Sequence, residues 1–176
     1  MKQGRSSFPS AFGWQPWRII PLVAFALSVA VVAAAGAARA TPGTGVSGTI
    51  VANGALAAPI PSSFMVADDH THVQSDLQNI QIGSFVAEPG AQFGWHQHGG
   101  PVWVVITSGT LSLYGGEDPE CRARELHAGA AFMEPGNHTH IARNETSEPV
   151  ELYAVYMLPE GGEVRLDEPA PGNCAF

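Results

Sequence analysis

The sequence predicts an all-β domain, a barrel or a sandwich, and three observations carry that reading. From about residue 64 the chain breaks into short runs of β-branched and aromatic residues bounded by Gly, Pro, Asn and Asp. No segment beyond residue 40 sustains an apolar period of 3.6 residues, so a helix there would have no face to bury. Glycine (20) and proline (14) recur every few residues, which punctuates strands and interrupts helices. There is no repeat of solenoid type. The 45% hydrophobic and 14% charged composition of the 176 residues fits one globular domain with an apolar segment at one end.

That segment comes first. Residues 19–38 carry no charge, the stretch before them holds only Lys2, Arg5 and Arg18 as charged groups, and Ala38-Arg39-Ala40 follows. A basic head, an apolar middle and an A-x-A end describe an export signal cleaved after Ala40. The alternative is an uncleaved membrane anchor over residues 19–38, since about twenty apolar residues span a bilayer. Residues 41–63 are rich in Gly, Pro, Ala, Ser and Thr and are expected to be a linker, with an edge strand over Val46–Val51.

The barrel is expected over 64–176. After the polar patch Asp68-Asp69-His70-Thr71-His72, Leu77–Glu88 alternates Leu77, Ile80, Ile82 and Phe85 with polar or small neighbours, and Pro89-Gly90 ends the run. Val102–Thr107 and Thr110–Tyr114 form a hairpin turning at Ser108-Gly109, and a loop follows at Gly115–Pro119. Arg122–Leu126, Ala130–Met133, His138–Ala142 and Val150–Leu158 supply four more strands. Such a chain buries a sizeable core, and barrel closure removes most sheet edges.

Charge narrows the partners. Export would remove Lys2, Arg5, Arg18 and Arg39, leaving four arginines and no lysine against sixteen acids, a net charge of −12. Such a surface repels nucleic acid and anionic membranes, so neither is expected as a partner. The only cysteines, Cys121 and Cys174, both lie in turn-like settings of the exported part. In an oxidising compartment they are expected to pair, closing a loop of about fifty residues worth ~3–4 kcal/mol. The alternative is two free thiols.

The chemistry gathers in Gly90–Gly109. Successive strand side chains alternate faces, so His96 and His98 share one face and can close on a single divalent ion. His138 and His140 repeat the same spacing, and His140 can supply the third imidazole. His138 shares its parity and is the candidate catalytic group, as a further ligand or as an acid/base beside the metal.

These stretches resemble the two signatures of the cupin superfamily. The first reads Gly90, five residues, His96-Gln97-His98, three residues, Val102, six residues, Gly109. The second reads Gly129, five residues, Pro135-Gly136-Asn137-His138-Thr139-His140, three residues, Asn144. The resemblance implies a double-stranded β-helix, or jelly-roll barrel, with a divalent metal (Fe, Mn, Zn, Ni or Cu) on His96, His98 and His140. Two departures stand out. Val102 occupies the position of the family's glutamate ligand, and Asn137 that of a glycine; Asn tolerates the left-handed backbone expected there.

Three imidazoles with open positions are the mark of a catalytic site. The superfamily includes thiol dioxygenases whose iron sits on three histidines. The expected function is therefore a dioxygenase-like or isomerase-like reaction on a small organic substrate. The alternatives are a metal- or ligand-binding module without turnover and a metal-free structural barrel. His70, His72 and His127 lie outside the site and are expected to be exposed or structural. Glu134 and Gln92 have inward parity and are expected either to reach metal-bound water or to be incidental. Glu88 is expected to be solvated at a strand end. Trp95 and Trp103, of opposite parity, are expected to pack on the outer layer or at an interface, as in a homodimer. There is no G-x-S-x-G elbow, no phosphate-binding glycine loop and no C-x-x-C motif.

Overall fold

Ten antiparallel strands run through the described residues of the domain. The computed structural model describes residues 40–65 and 72–176. The export segment before Ala40 and His70 lie outside the described residues. In order the strands are β1 (Thr44–Met65), β2 (His72–Gln92), β3 (His96–Gln97), β4 (Val102–Ser108), β5 (Thr110–Gly115), β6 (Arg124–His127), β7 (Ala131–Glu134), β8 (His140–Arg143), β9 (Val150–Pro159) and β10 (Leu166–Asp167). No helix occurs among the described residues.

The pairing makes two five-strand layers. One runs β1-β2-β9-β4-β7 and the other β6-β5-β8-β3-β10, joined where Gln92 pairs with Arg143. The result is an all-β, nearly closed jelly-roll barrel. Alternation is cleanest on β4 and β9, where Val102, Val104, Ile106 and Val150, Leu152, Ala154, Tyr156, Leu158 face inward. Ile106, Val150 and Leu158 are fully buried, each worth about 1.5–3 kcal/mol in burial free energy.

The strand expected at Val46–Val51 is much longer. From Thr44 to Met65 the chain pairs with β2, so the segment expected to be mainly linker is sheet. Its Gly, Ala and Pro content hid it, because little of β1 is buried and its side chains show no clean alternation. β2 and β4 to β9 fall within a few residues of their expected positions, whereas β10 was not among the expected strands.

A second cluster lies outside the barrel. Trp95, Tyr114 and Ile141 are buried there against Cys121 and Cys174. Those cysteines form a disulfide with a Cα–Cα distance of 5.2 Å. Asn173 donates from Nδ2 to the carbonyls of Gly115 (2.9 Å) and Asp118 (2.7 Å), so the C-terminal tail ties down the loop after β5. Trp95 is thus buried within this outer cluster, whereas Trp103 is exposed.

Candidate metal centre

The short β3 and β8 place two of the imidazoles. His96 and His140 are directly opposed in the β3–β8 ladder, and their ring centroids lie 4.4 Å apart. His98 stands just past the end of β3, its ring centroid 4.9 Å from that of His96 and 5.1 Å from that of His140. The backbone N–H of Asn137 donates to the His98 carbonyl (2.8 Å), which docks the turn of the second motif onto the first. Asn137 itself has a φ of 57°, the left-handed conformation that asparagine tolerates. Gly90 and Gly109, which bracket the first motif, have φ of 77° and 78° and are required at those turns.

Each histidine is oriented by a backbone carbonyl. Nδ1 of His96 lies 2.8 Å from the Gly94 carbonyl, that of His98 2.6 Å from Val164, and that of His140 2.9 Å from His138. A carbonyl only accepts, so each Nδ1 carries the proton and each Nε2 presents a lone pair. The Nε2 atoms of His98 and His140 are buried and without a hydrogen bond. One ligand atom from each of the three side chains lies within 4.8 Å of the other two. Orphaned, converging lone pairs with fixed tautomers are what a divalent ion requires, so the residues present fit a metal.

The electrostatics agree. Burial, reinforced by the neighbouring imidazoles of His140 and His98, holds the His96 pKa well below its ordinary value. Burial also lowers that of His140, so these rings are neutral near pH 7. Burial and the nearby Glu134 carboxylate raise the Tyr156 pKa and keep its phenol protonated. Its ring centroid is 5.5 Å from that of His98.

Sequence reasoning undervalued Glu134. It is buried at the end of β7, with Oε2 3.2 Å from Nε2 of His98 and Oε1 3.3 Å from Nε2 of His140. Burial opposes its ionisation, but the imidazoles of His140 and His98 outweigh that and bring its pKa down to about 2. Its inward parity was visible in the sequence. The register that sets it opposite Val102 was not, because it depends on β4–β7 pairing across the barrel.

The remaining candidates sort themselves. His138 precedes β8 and lines a cavity of ≈ 850 Å³ with His140, Glu134, Tyr114, Glu117 and Arg124, outside the three-histidine cluster. Its Nε2 lies 3.6 Å from Glu117 Oε2. A second chamber of ≈ 30 Å³ lies inside the barrel, where Phe85, Phe93, Leu111 and Phe132 join His96, His98 and Glu134. Gln92 pairs with Arg143 and Thr44 through its backbone and lines neither space. His127 is exposed beside Thr110, and Glu88 is exposed at its strand. His72 begins β2. Asn144, the last residue of the second motif, is structural: its Nδ2 donates to the carbonyls of Ala87 (2.9 Å) and Glu148 (2.8 Å).

Residues 83–156 match the cupin domain family. No curated protein matches the sequence. Among solved structures, a cupin superfamily protein from Desulfitobacterium hafniense is 15% identical over 56% of this chain and 78% of its own, with a TM-score of 0.40. The polyketide cyclase RemF of Streptomyces resistomycificus is 13% identical over 76% of this chain and 80% of its own, with a TM-score of 0.47. Oxalate decarboxylase of Bacillus subtilis is 21% identical over 50% of this chain, which spans 23% of that protein, with a TM-score of 0.43. The two ordered motifs, the jelly-roll barrel built around them and the family match identify residues 83–156 as a cupin domain.

Proposed function

We propose that the protein is an exported, metal-dependent enzyme acting on a small organic molecule, with His96, His98 and His140 as metal ligands. The observation that carries this is the trio of carbonyl-fixed imidazoles whose ligand atoms converge within the barrel. A divalent ion held there supplies Lewis-acid polarisation or, if it is iron, copper or manganese, redox chemistry. The chain's own groups do the rest. Phe85, Phe93, Leu111 and Phe132 keep the inner side apolar, and a chamber of ≈ 30 Å³ admits no more than one or two water-sized molecules. An organic substrate therefore enters through the ≈ 850 Å³ cavity on the His140 side. There His138, beside Glu117, can hold or pass a proton at its Nε2, and the Tyr156 phenol remains a donor on the inner side.

Two further parts of the reading have independent support. The Cys121–Cys174 bridge suits an oxidising compartment, in keeping with export. Trp103, Val105 and Tyr153 are 44%, 41% and 45% exposed on neighbouring strands of one outer face, which suits a homodimer. A metal- or ligand-binding module without turnover is the second reading.

The test is turnover. The full chain, loaded in turn with Fe, Mn, Cu, Ni and Zn, is incubated with a panel of small organic acids and thiols while oxygen uptake and product formation are followed. Metal-dependent turnover that disappears in His98→Ala supports the enzyme. Stoichiometric metal with no turnover across the panel favours the binding module.

A further inference from the structure

Val102 leaves the centre without the glutamate that the first motif normally carries, yet the structure holds a carboxylate at the same level of the barrel. Val102 is paired across the β4–β7 ladder with Glu134 and across the β4–β9 ladder with Tyr156, and all three side chains face inward. Adjacent strands lie about 4.8 Å apart, so moving a carboxylate from β4 to β7 displaces its origin by one strand spacing.

We propose that Glu134 is the fourth, anionic ligand of the metal centre, supplied by the strand next to the one that normally carries it. This assignment rests on the metal-binding reading above. Three features argue that the carboxylate faces an ion and is more than a hydrogen-bond partner of the histidines. The first is direction: although Glu134 approaches both Nε2 atoms, neither has a hydrogen bond, and the Nδ1 protons are taken by backbone carbonyls. The second is distance. Two donor atoms each about 2.1 Å from one ion are about 3.0 Å apart at a right angle and about 3.4 Å apart at the tetrahedral angle. The two Glu134 oxygens stand 3.2 and 3.3 Å from the two nitrogens, inside that interval. The third is charge. Glu134 is only 8% exposed, and the histidines are its sole ion-pair partners among the described residues. A buried carboxylate that no arginine or lysine pairs with among the described residues suits a cation held by the same histidines.

The assignment changes which metals suit the site. Three imidazoles alone suit zinc, iron, copper and nickel, whereas an added carboxylate oxygen brings the harder Mn²⁺ within range. Losing Glu134 should therefore hurt Mn²⁺ binding more than Zn²⁺ binding.

The experiment strips the full chain with a chelator and titrates Mn²⁺ and Zn²⁺ separately, following free and bound Mn²⁺ by electron paramagnetic resonance. Wild type, Glu134→Gln, Glu134→Asp and the double variant Glu134→Gln/Val102→Glu are compared. The expected result is a Mn²⁺ affinity on the order of 10–100-fold weaker in Glu134→Gln, with a smaller loss for Zn²⁺ and an altered spectrum for any Mn²⁺ still bound. In the double variant, which returns the carboxylate to the first motif, Mn²⁺ binding should recover. Gln is isosteric with Glu, so the single variant decides the matter if the double variant does not fold. Unchanged Mn²⁺ affinity and spectrum in Glu134→Gln would overturn the Glu134 assignment and leave the three-histidine centre standing. Failure of the wild type to take up either ion would overturn both.

Discussion

Removing the Cys121–Cys174 bridge should cost the domain several kcal/mol while leaving its metal centre intact. The two cysteines are 53 residues apart in sequence. In the chain-entropy treatment, closing a loop of that size stabilises the fold by about 4 kcal/mol, by restricting the unfolded chain. For a domain of this size, that corresponds to a fall in Tm of roughly 12–16 °C. The perturbation is Cys121→Ala/Cys174→Ala, and the assay is urea unfolding of the oxidised wild type beside the double variant. His96, His98 and His140 stand at or beside β3 and β8, whereas the bridge ties the tail to the loop after β5. Metal stoichiometry should therefore be unchanged. A loss below about 1 kcal/mol would refute the loop-closure reasoning. Loss of metal along with the bridge would refute the separation of tail and centre.

Other outcomes follow from the same structure. His98→Ala should abolish metal-induced stabilisation, which in wild type amounts to about 2.7 kcal/mol at a free metal concentration one hundred times Kd, while His127→Ala should retain it; thermal shift with and without metal measures both. The metal-free domain should lose stability in acid. The His96 and His140 pKa values are lowered from 6.5, so the unfolded chain binds more protons and stability falls as pH drops below 6.5, by at most about 1.4 kcal/mol per pH unit for each group. Glu134 acts in the same sense at lower pH: its contribution is complete above 4.5 and is lost as pH falls towards about 2. Urea unfolding of chelator-treated protein at a series of pH values checks these signs. In the core, Ile106→Ala should cost about 2–5 kcal/mol by the same assay. At Asn137, with φ of 57°, replacement by Ala should cost roughly 1–2 kcal/mol and replacement by Gly much less.

The centre was legible in the sequence to the extent that it depends on local spacing. His96 and His98 share a strand face by parity alone, and the two motifs carried His140 and the jelly-roll barrel with them. What escaped depends on which strands become neighbours. Glu134 has the same inward parity as several residues without a role. Only the β4–β7 register, formed between strands about thirty residues apart, sets it opposite Val102 and beside two imidazoles. β1 escaped for a different reason: a Gly- and Ala-rich strand with little burial leaves no apolar alternation to read. Trp95 was placed on the outer layer by parity and is buried there in a cluster with Tyr114 and Ile141, beside the disulfide of a C-terminal tail whose return past β5 no periodicity announces.

The central claim is that His96, His98 and His140 hold a divalent metal. Elemental analysis by inductively coupled plasma mass spectrometry on the purified protein, beside a His96→Ala/His140→Ala variant, tests it most directly. The account predicts near-stoichiometric metal in the wild type and none in the variant. Equal metal in both, or none in the wild type after reconstitution with each candidate ion, would contradict it.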